Sequence, residues 1–105
     1  MCREPSRNGP AVRVRWLRKA IANLDAEAAF IARDSPEAAG RVVAKISQAI
    51  ENLRRFPAMG RSGRVPGTRE LVIQGTPYVV PYRVRNDSVQ ILRVFHTSRR
   101  WPEKL

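Results

Sequence analysis

The chain has 105 residues, one domain's worth of polypeptide with no length for a second independent core. Its composition, 43% hydrophobic and 28% charged, is that of a globular protein and excludes a low-complexity chain. Basic side chains number 20 against 9 acidic, a formal charge of +11 that favours neutral or acidic partners, and the single cysteine, Cys2, excludes an intrachain disulfide and a Cys-based metal cluster.

Residues 1–10 hold Pro, Gly, Ser and Asn with almost nothing apolar, and predict a flexible lead-in to a single domain over residues 11–105. They lack the apolar stretch of a signal peptide, and no later run reaches membrane-spanning length, so the expected location is cytoplasmic, with no membrane partner. Val12, Val14 and Trp16 alternate with Arg13 and Arg15 as in a half-buried strand. Leu17, Ile21, Leu24, Ala28 and Ile31 then recur at steps of four and three, which predicts a helix through about Arg33 with that stripe facing the core. Ser35-Pro36-Glu37 is a helix start: a hydroxyl to accept orphan amides, a proline suited to the first turn and an acid that complements the dipole. The stripe Ala39, Val42 or Val43, Ile46, Ile50 and Leu53 carries this second helix to Phe56-Pro57.

Residues 58–68 contain three Gly and a Pro and read as a loop. Strands are predicted over Arg69–Gln74, Tyr78–Arg85 and Ser88–His96, with turns at Gly75-Thr76-Pro77 and Asn86-Asp87. Pro81 has no amide hydrogen for a ladder, so its amide side is expected at an edge or a bulge. The order β-α-α-β-β-β predicts an α+β fold, a helical hairpin packed on a mostly antiparallel twisted sheet.

All the cations but Lys19, Lys45 and Lys104 are Arg, and residues 54–105 carry 11 basic and 3 acidic side chains, so a basic surface should come mainly from the second half. One His and one Cys make a metal site improbable, no nucleotide-cradling glycine motif precedes a helix, and no cofactor is expected. Metal-free RNA cleavage would need a proton acceptor, a donor and cations on the phosphorane. His96, Tyr78, Tyr82 and the arginines could supply them, although each also fits a plain structural role. The charge would suit a basic nucleic-acid-binding module, but no helix is densely basic, and sequence-specific binding is not expected.

Asp34-Ser35-Pro36 between the helices, Gly60-Arg61 after Phe56-Pro57, and Pro66-Gly67-Thr68-Arg69-Glu70-Leu71 form the first part of an ordered series. Pro77-Tyr78-Val79-Val80-Pro81-Tyr82-Arg83, Ile91-Leu92-Arg93-Val94-Phe95-His96 and Arg99-Arg100-Trp101-Pro102 complete it. The series, over about residues 11–102, resembles the RelE/ParE toxin superfamily, which implies the toxin of a bacterial type II toxin–antitoxin pair. RelE-like members cleave mRNA on the ribosome, whereas ParE-like members inhibit DNA gyrase by binding it. Where RelE-like chains carry a catalytic Arg after the first Tyr of the central strand, this chain has Val79. Thr97 and Glu103 stand where a further Arg and a C-terminal Tyr are expected.

The resemblance therefore implies the ParE branch, a function in surface recognition and no favoured catalytic residue, His96 being the candidate if the chain were an RNase. Target-binding candidates are Arg61, Arg64, Arg69, Arg83, Arg99, Arg100 and Trp101, since Arg and Trp anchor interfaces. Arg69 could instead pair with Glu70 or a helix carboxylate, and Trp101 could close the core beside Pro102. The implied partners are DNA gyrase and a ParD-like antitoxin forming a hetero-oligomer, its amphipathic segment covering an apolar groove for which Leu17, Ile21 and Leu24 are candidates.

Overall fold

A computed structural model describes residues 12–98. Strand β1 (Arg13–Trp16) is followed by helices α1 (Arg18–Ala32) and α2 (Pro36–Glu51), a 3-10 turn (Asn52–Arg54), and strands β2 (Arg61–Ser62), β3 (Arg69–Val72), β4 (Tyr78–Arg85), β5 (Ser88–Ile91) and β6 (Phe95–His96). The sheet runs β1-β5-β4-β3-β2, with β6 also on β4, and every pairing is antiparallel except β1 with β5. This is the expected α+β architecture, with two helices packed on a mixed sheet.

The start of α2 forms as its residues dictate: Ser35 Oγ accepts from the Ala38 N–H at 3.1 Å, and Pro36 occupies the first turn. Ala39, Ile46, Ile50 and Leu53 are buried, as their spacing requires, although the regular helix ends at Glu51 rather than reaching Phe56. Helix α1 is rotated from the expected stripe. Ala20 and Glu27 are its buried residues, Leu24 and Ile31 pack against the core, and Ile21 is 45% exposed. Leu17 remains extended, its N–H donating to Ile91 O, so the helix starts one residue later. The face at 20, 24, 27 and 31 then meets the sheet, and the turn that carries Glu27 is held by a partner from β4.

The expected strand Ser88–His96 is two strands, and Pro81 is the physical reason. Tyr82 pairs with Ile91, but Val79 pairs with Phe95, so two residues of β4 oppose three of the partner chain. Leu92 N–H donates to Pro81 O at 3.0 Å, and the reciprocal donor would be the Pro81 amide, which has no hydrogen. The ladder breaks there as a bulge, one of the two places expected for this proline. The segment 58–68 is likewise not all loop, because Arg61 and Ser62 pair with Glu70 and Arg69 as β2. Strand β3 stops at Val72, two residues before the expected end. Asn86 makes the β4–β5 turn with φ 55°, a left-handed conformation that asparagine tolerates.

Tyr78, Val80, Tyr82, Val89 and Ile91 face the helices and join Ala20, Ile46, Ile50 and Leu53 in one core. The opposite side of the sheet carries no helix, and there Glu70, Pro81, Arg83, Arg85, Ser88, Gln90, Arg13 and Arg15 share a face by strand alternation.

Candidate functional site

The loop that leads from the helices into the sheet is fastened from both sides of β3 and β4. On the helix side, the fully buried Tyr82 donates its hydroxyl hydrogen to Pro57 O at 2.8 Å and accepts from the Gly60 N–H at 2.9 Å. A Cβ on Gly60 would stand 2.7 Å from both the ring and the hydroxyl of Tyr82, so only glycine permits this approach. Burial pushes the Tyr82 phenol above its ordinary value, partly offset by the Gly60 amide and the Arg69 charge. Arg69, opposite Tyr82 in register, donates Nη1 to Gly60 O at 2.8 Å and to Ala58 O at 3.2 Å. Its described partners are thus loop carbonyls, not Glu70 or a helix carboxylate.

On the helix-free side Glu70 is 3% exposed. Its Oε1 accepts from Arg61 Nε and Nη2 at 3.3 and 3.1 Å. Its Oε2 accepts from the Arg64 backbone N–H at 2.9 Å and lies 3.8 Å from Arg64 Nε. A buried carboxylate is tolerated because charged and backbone donors meet both of its oxygens. The guanidinium-bearing side chains of Arg61 and Arg64 are more than half exposed, so both retain a solvent-facing surface. In the sequence Glu70 figures only within the motif and as a possible partner of Arg69, not as a site residue. The signal was present in its being one of three acids among eleven bases in residues 54–105, placed on a strand rather than in a turn.

Next to this fastened loop, a groove of about 350 Å³ is lined by Pro66, Gly67 and Thr68 together with Arg83, Arg85, Leu17 and Leu92. Arg83 is half-buried and donates Nε to Gln90 Oε1 at 2.6 Å. Leu17 is therefore in a groove, but Ile21 and Leu24 do not line it: Ile21 stands exposed on α1 and Leu24 packs against the core.

His96 is half-buried at the end of the sheet, where its ring meets the Tyr78 ring edge-on at 5.4 Å and 86°. The Tyr78 hydroxyl donates to Glu27 Oε1 at 3.0 Å, which explains the inward turn of that acid. The Ser98 N–H donates to His96 Nδ1 at 3.2 Å, and Ser98 Oγ lies 2.8 Å from the same nitrogen. Val79 is buried opposite Phe95, an apolar side chain where a catalytic guanidinium was the alternative. Thr97 is exposed and its N–H donates to Pro77 O at 2.8 Å. Arg99, Arg100, Trp101 and Glu103 lie outside the described residues. Among the described residues no group of three metal-ligating side chains converges, and no helix is long and apolar enough to cross a membrane.

Residues 14–101 match the family model described as the ParE toxin of the type II toxin–antitoxin system parDE. Y4kP of Sinorhizobium fredii, a protein named as a toxin by inference, is 47% identical over 93 residues, covering 89% of this chain and 96% of the relative. Toxin RelE2 of Caulobacter vibrioides is 36% identical over 84 residues, covering 80% of this chain and 93% of the relative. Among solved structures, the chromosomal ParDE toxin–antitoxin system from P. aeruginosa superposes with a TM-score of 0.75 at 32% identity, over 84% of this chain and 98% of that one. The RelBE2 toxin–antitoxin complex from Mycobacterium tuberculosis does so with 0.57 at 27% identity, over 84% and 93%.

Proposed function

The chain belongs to the ParE toxin family of type II toxin–antitoxin systems, within the RelE/ParE superfamily that its motifs resemble, and from that premise we propose that it inhibits DNA gyrase by binding. In this reading the protein breaks no bond. The observation that carries it is Val79: a buried valine cannot supply the cation that phosphoryl chemistry needs at this point of the central strand. Arg61, Arg64 and Arg83 form the target surface, because the first two are held on Glu70 with outward donors and the third lines the adjoining groove. Pre-set guanidinium groups lose little freedom on binding, which favours them as interface anchors. Arg99, Arg100 and Trp101, outside the described residues, remain target-binding candidates on residue type alone.

The partner that neutralises it is a ParD-like antitoxin, the pairing named for the P. aeruginosa relative. An acidic amphipathic segment would gain steering from the +11 chain and apolar burial at Leu17 and the exposed Ile21. The protein would act in the cytoplasm, where both partners are met.

The likeness to Toxin RelE2 supports a second reading as a ribosome-dependent mRNA endonuclease using His96. One experiment separates the two. Induced without antitoxin, the chain is expected to lower plasmid supercoiling while transcripts stay intact, and the purified chain to block gyrase supercoiling in vitro. Cut transcripts with normal supercoiling, abolished by His96→Ala, would replace the first reading by the second.

A further inference from the structure

The helix-free face of the sheet holds four arginines in two cross-strand rows. Arg13 pairs with Ser88, which pairs with Arg85, and Arg15 pairs with Gln90, which pairs with Arg83. Laterally paired residues project to the same side, so strands β1 and β4 carry two arginine rails flanking the neutral strand β5. Successive arginines on a rail are about 7 Å apart and the rails about 10 Å apart, by strand rise and spacing. Arg13, Arg15 and Arg85 are exposed, and no ion pair to any of the four occurs among the described residues.

From this juxtaposition we infer that the face is a docking site for nucleic-acid phosphates, binding the backbone of duplex DNA without reading its sequence. Four like charges are held close together with no carboxylate between them, a repulsive arrangement that a polyanion relieves. Gln90 between the rails also fits phosphate oxygens, because its Oε1 accepts from Arg83 and its amide nitrogen is a hydrogen-bond donor to the nucleic-acid backbone. The rows contain no aromatic side chain on which an unpaired base could stack, which favours a duplex over a single strand. The two rows carry no apolar side chain; the apolar Leu17 and Leu92 beside Arg83 and Arg85 belong to the neighbouring groove, where an acidic protein segment would find its apolar contacts. This inference does not depend on gyrase being the target, since binding is read on DNA alone.

The test is fluorescence anisotropy of a labelled mixed-sequence 20-bp DNA duplex with the full chain, from low salt upward. Four phosphates engaged by the grid predict a slope of log K against log salt of about −3.6, or roughly 100-fold weaker binding between 50 and 200 mM salt. Arg13→Gln/Arg15→Gln/Arg83→Gln/Arg85→Gln should remove most of that slope. The charge-matched control Arg18→Gln/Lys19→Gln/Arg41→Gln/Lys45→Gln, on exposed helix positions, should keep it. The single variants Arg15→Gln and Arg85→Gln should each flatten the slope by about 0.9, which keeps the test open if the quadruple variant fails to fold. Equal loss in grid and control variants, no binding at low salt, or displacement of the DNA by polyglutamate at equal charge would each overturn the assignment.

Discussion

Arg61 and Arg64 stand against the buried Glu70 carboxylate, whereas Arg13, Arg15 and Arg85, on the same helix-free side, stand exposed beside the neutral Ser88 and Gln90. The residue type is the same and the work is different. Around Glu70, guanidinium groups and a backbone amide satisfy a carboxylate that would otherwise be buried without partners, and the loop takes its shape from them. Arg69 extends that set on the helix side, tying Ala58 and Gly60 beside Tyr82. On the open rows no carboxylate competes, so the charge is directed outward. The difference teaches that a net charge of +11 is not one surface, and that a single buried acid separates arginines that both shape a loop and face outward, Arg61 and Arg64, from those on the open rows that only face outward.

Breaking the fastened region should have the largest effect. Gly60→Ala places a methyl 2.7 Å from Tyr82, and overpacking together with loss of the amide–phenol bond should cost about 3 kcal/mol in urea unfolding. Tyr82→Phe keeps the ring but leaves Pro57 O and Gly60 N–H without their partner, an expected loss of about 2 kcal/mol by the same measurement. Glu70→Gln keeps the shape, removes the charge and leaves a donor facing guanidinium groups, which should lower stability by about 1.5 kcal/mol. Because Arg61 and Arg64 are half in water, this falls short of the penalty for a fully buried pair. At the other end of the scale, Arg85→Gln on the open rows should change stability by less than about 0.5 kcal/mol.

The pH dependence sharpens the same contrast. Tyr82 has a phenol pKa raised above 10.0 by burial, so above pH 10 the unfolded chain releases this proton before the folded one does. Its contribution to stability should be complete below pH 10 and should decline as pH rises beyond it. Denaturation midpoints of wild type and Tyr82→Phe, measured from pH 8 to 11, should converge over the upper end of that range. Parallel curves would show that the phenol is not held neutral by its surroundings.

Helix α2 was legible in the sequence because its cap, its proline and its apolar stripe all agree, and Ser35 forms the bond that its position requires. The bulge was legible in the missing amide hydrogen of Pro81, although which neighbouring segment would give way was not, since that depends on register with β5 and β6. The face of α1 was misread because Leu17, Ile21 and Ala28 compete with Ala20, Leu24 and Ile31 for one stripe. A charged residue, Glu27, takes an inward position that hydrophobicity alone would deny it, and only the approach of Tyr78 makes that position stable. The candidate surface was legible in its residue types and not in its grouping. Arg61, Arg64, Arg69 and Arg83 read alike in the sequence, and their separation depends on a long-range contact with Gly60 and on β3 turning Glu70 under the loop. Arg13 and Arg15 looked like the wet side of an ordinary strand until the parallel pairing with β5 set them across from Arg83 and Arg85.

The division of the arginines is tested most directly by urea unfolding of two double variants that remove equal charge, Arg61→Gln/Arg69→Gln and Arg13→Gln/Arg85→Gln. The first pair should lose about 2 kcal/mol at unchanged denaturant slope, because its members hold Glu70 and the carbonyls of Ala58 and Gly60, and the second should stay within about 0.5 kcal/mol of wild type. Equal losses in the two pairs would contradict the account and return all of these arginines to a single undivided surface.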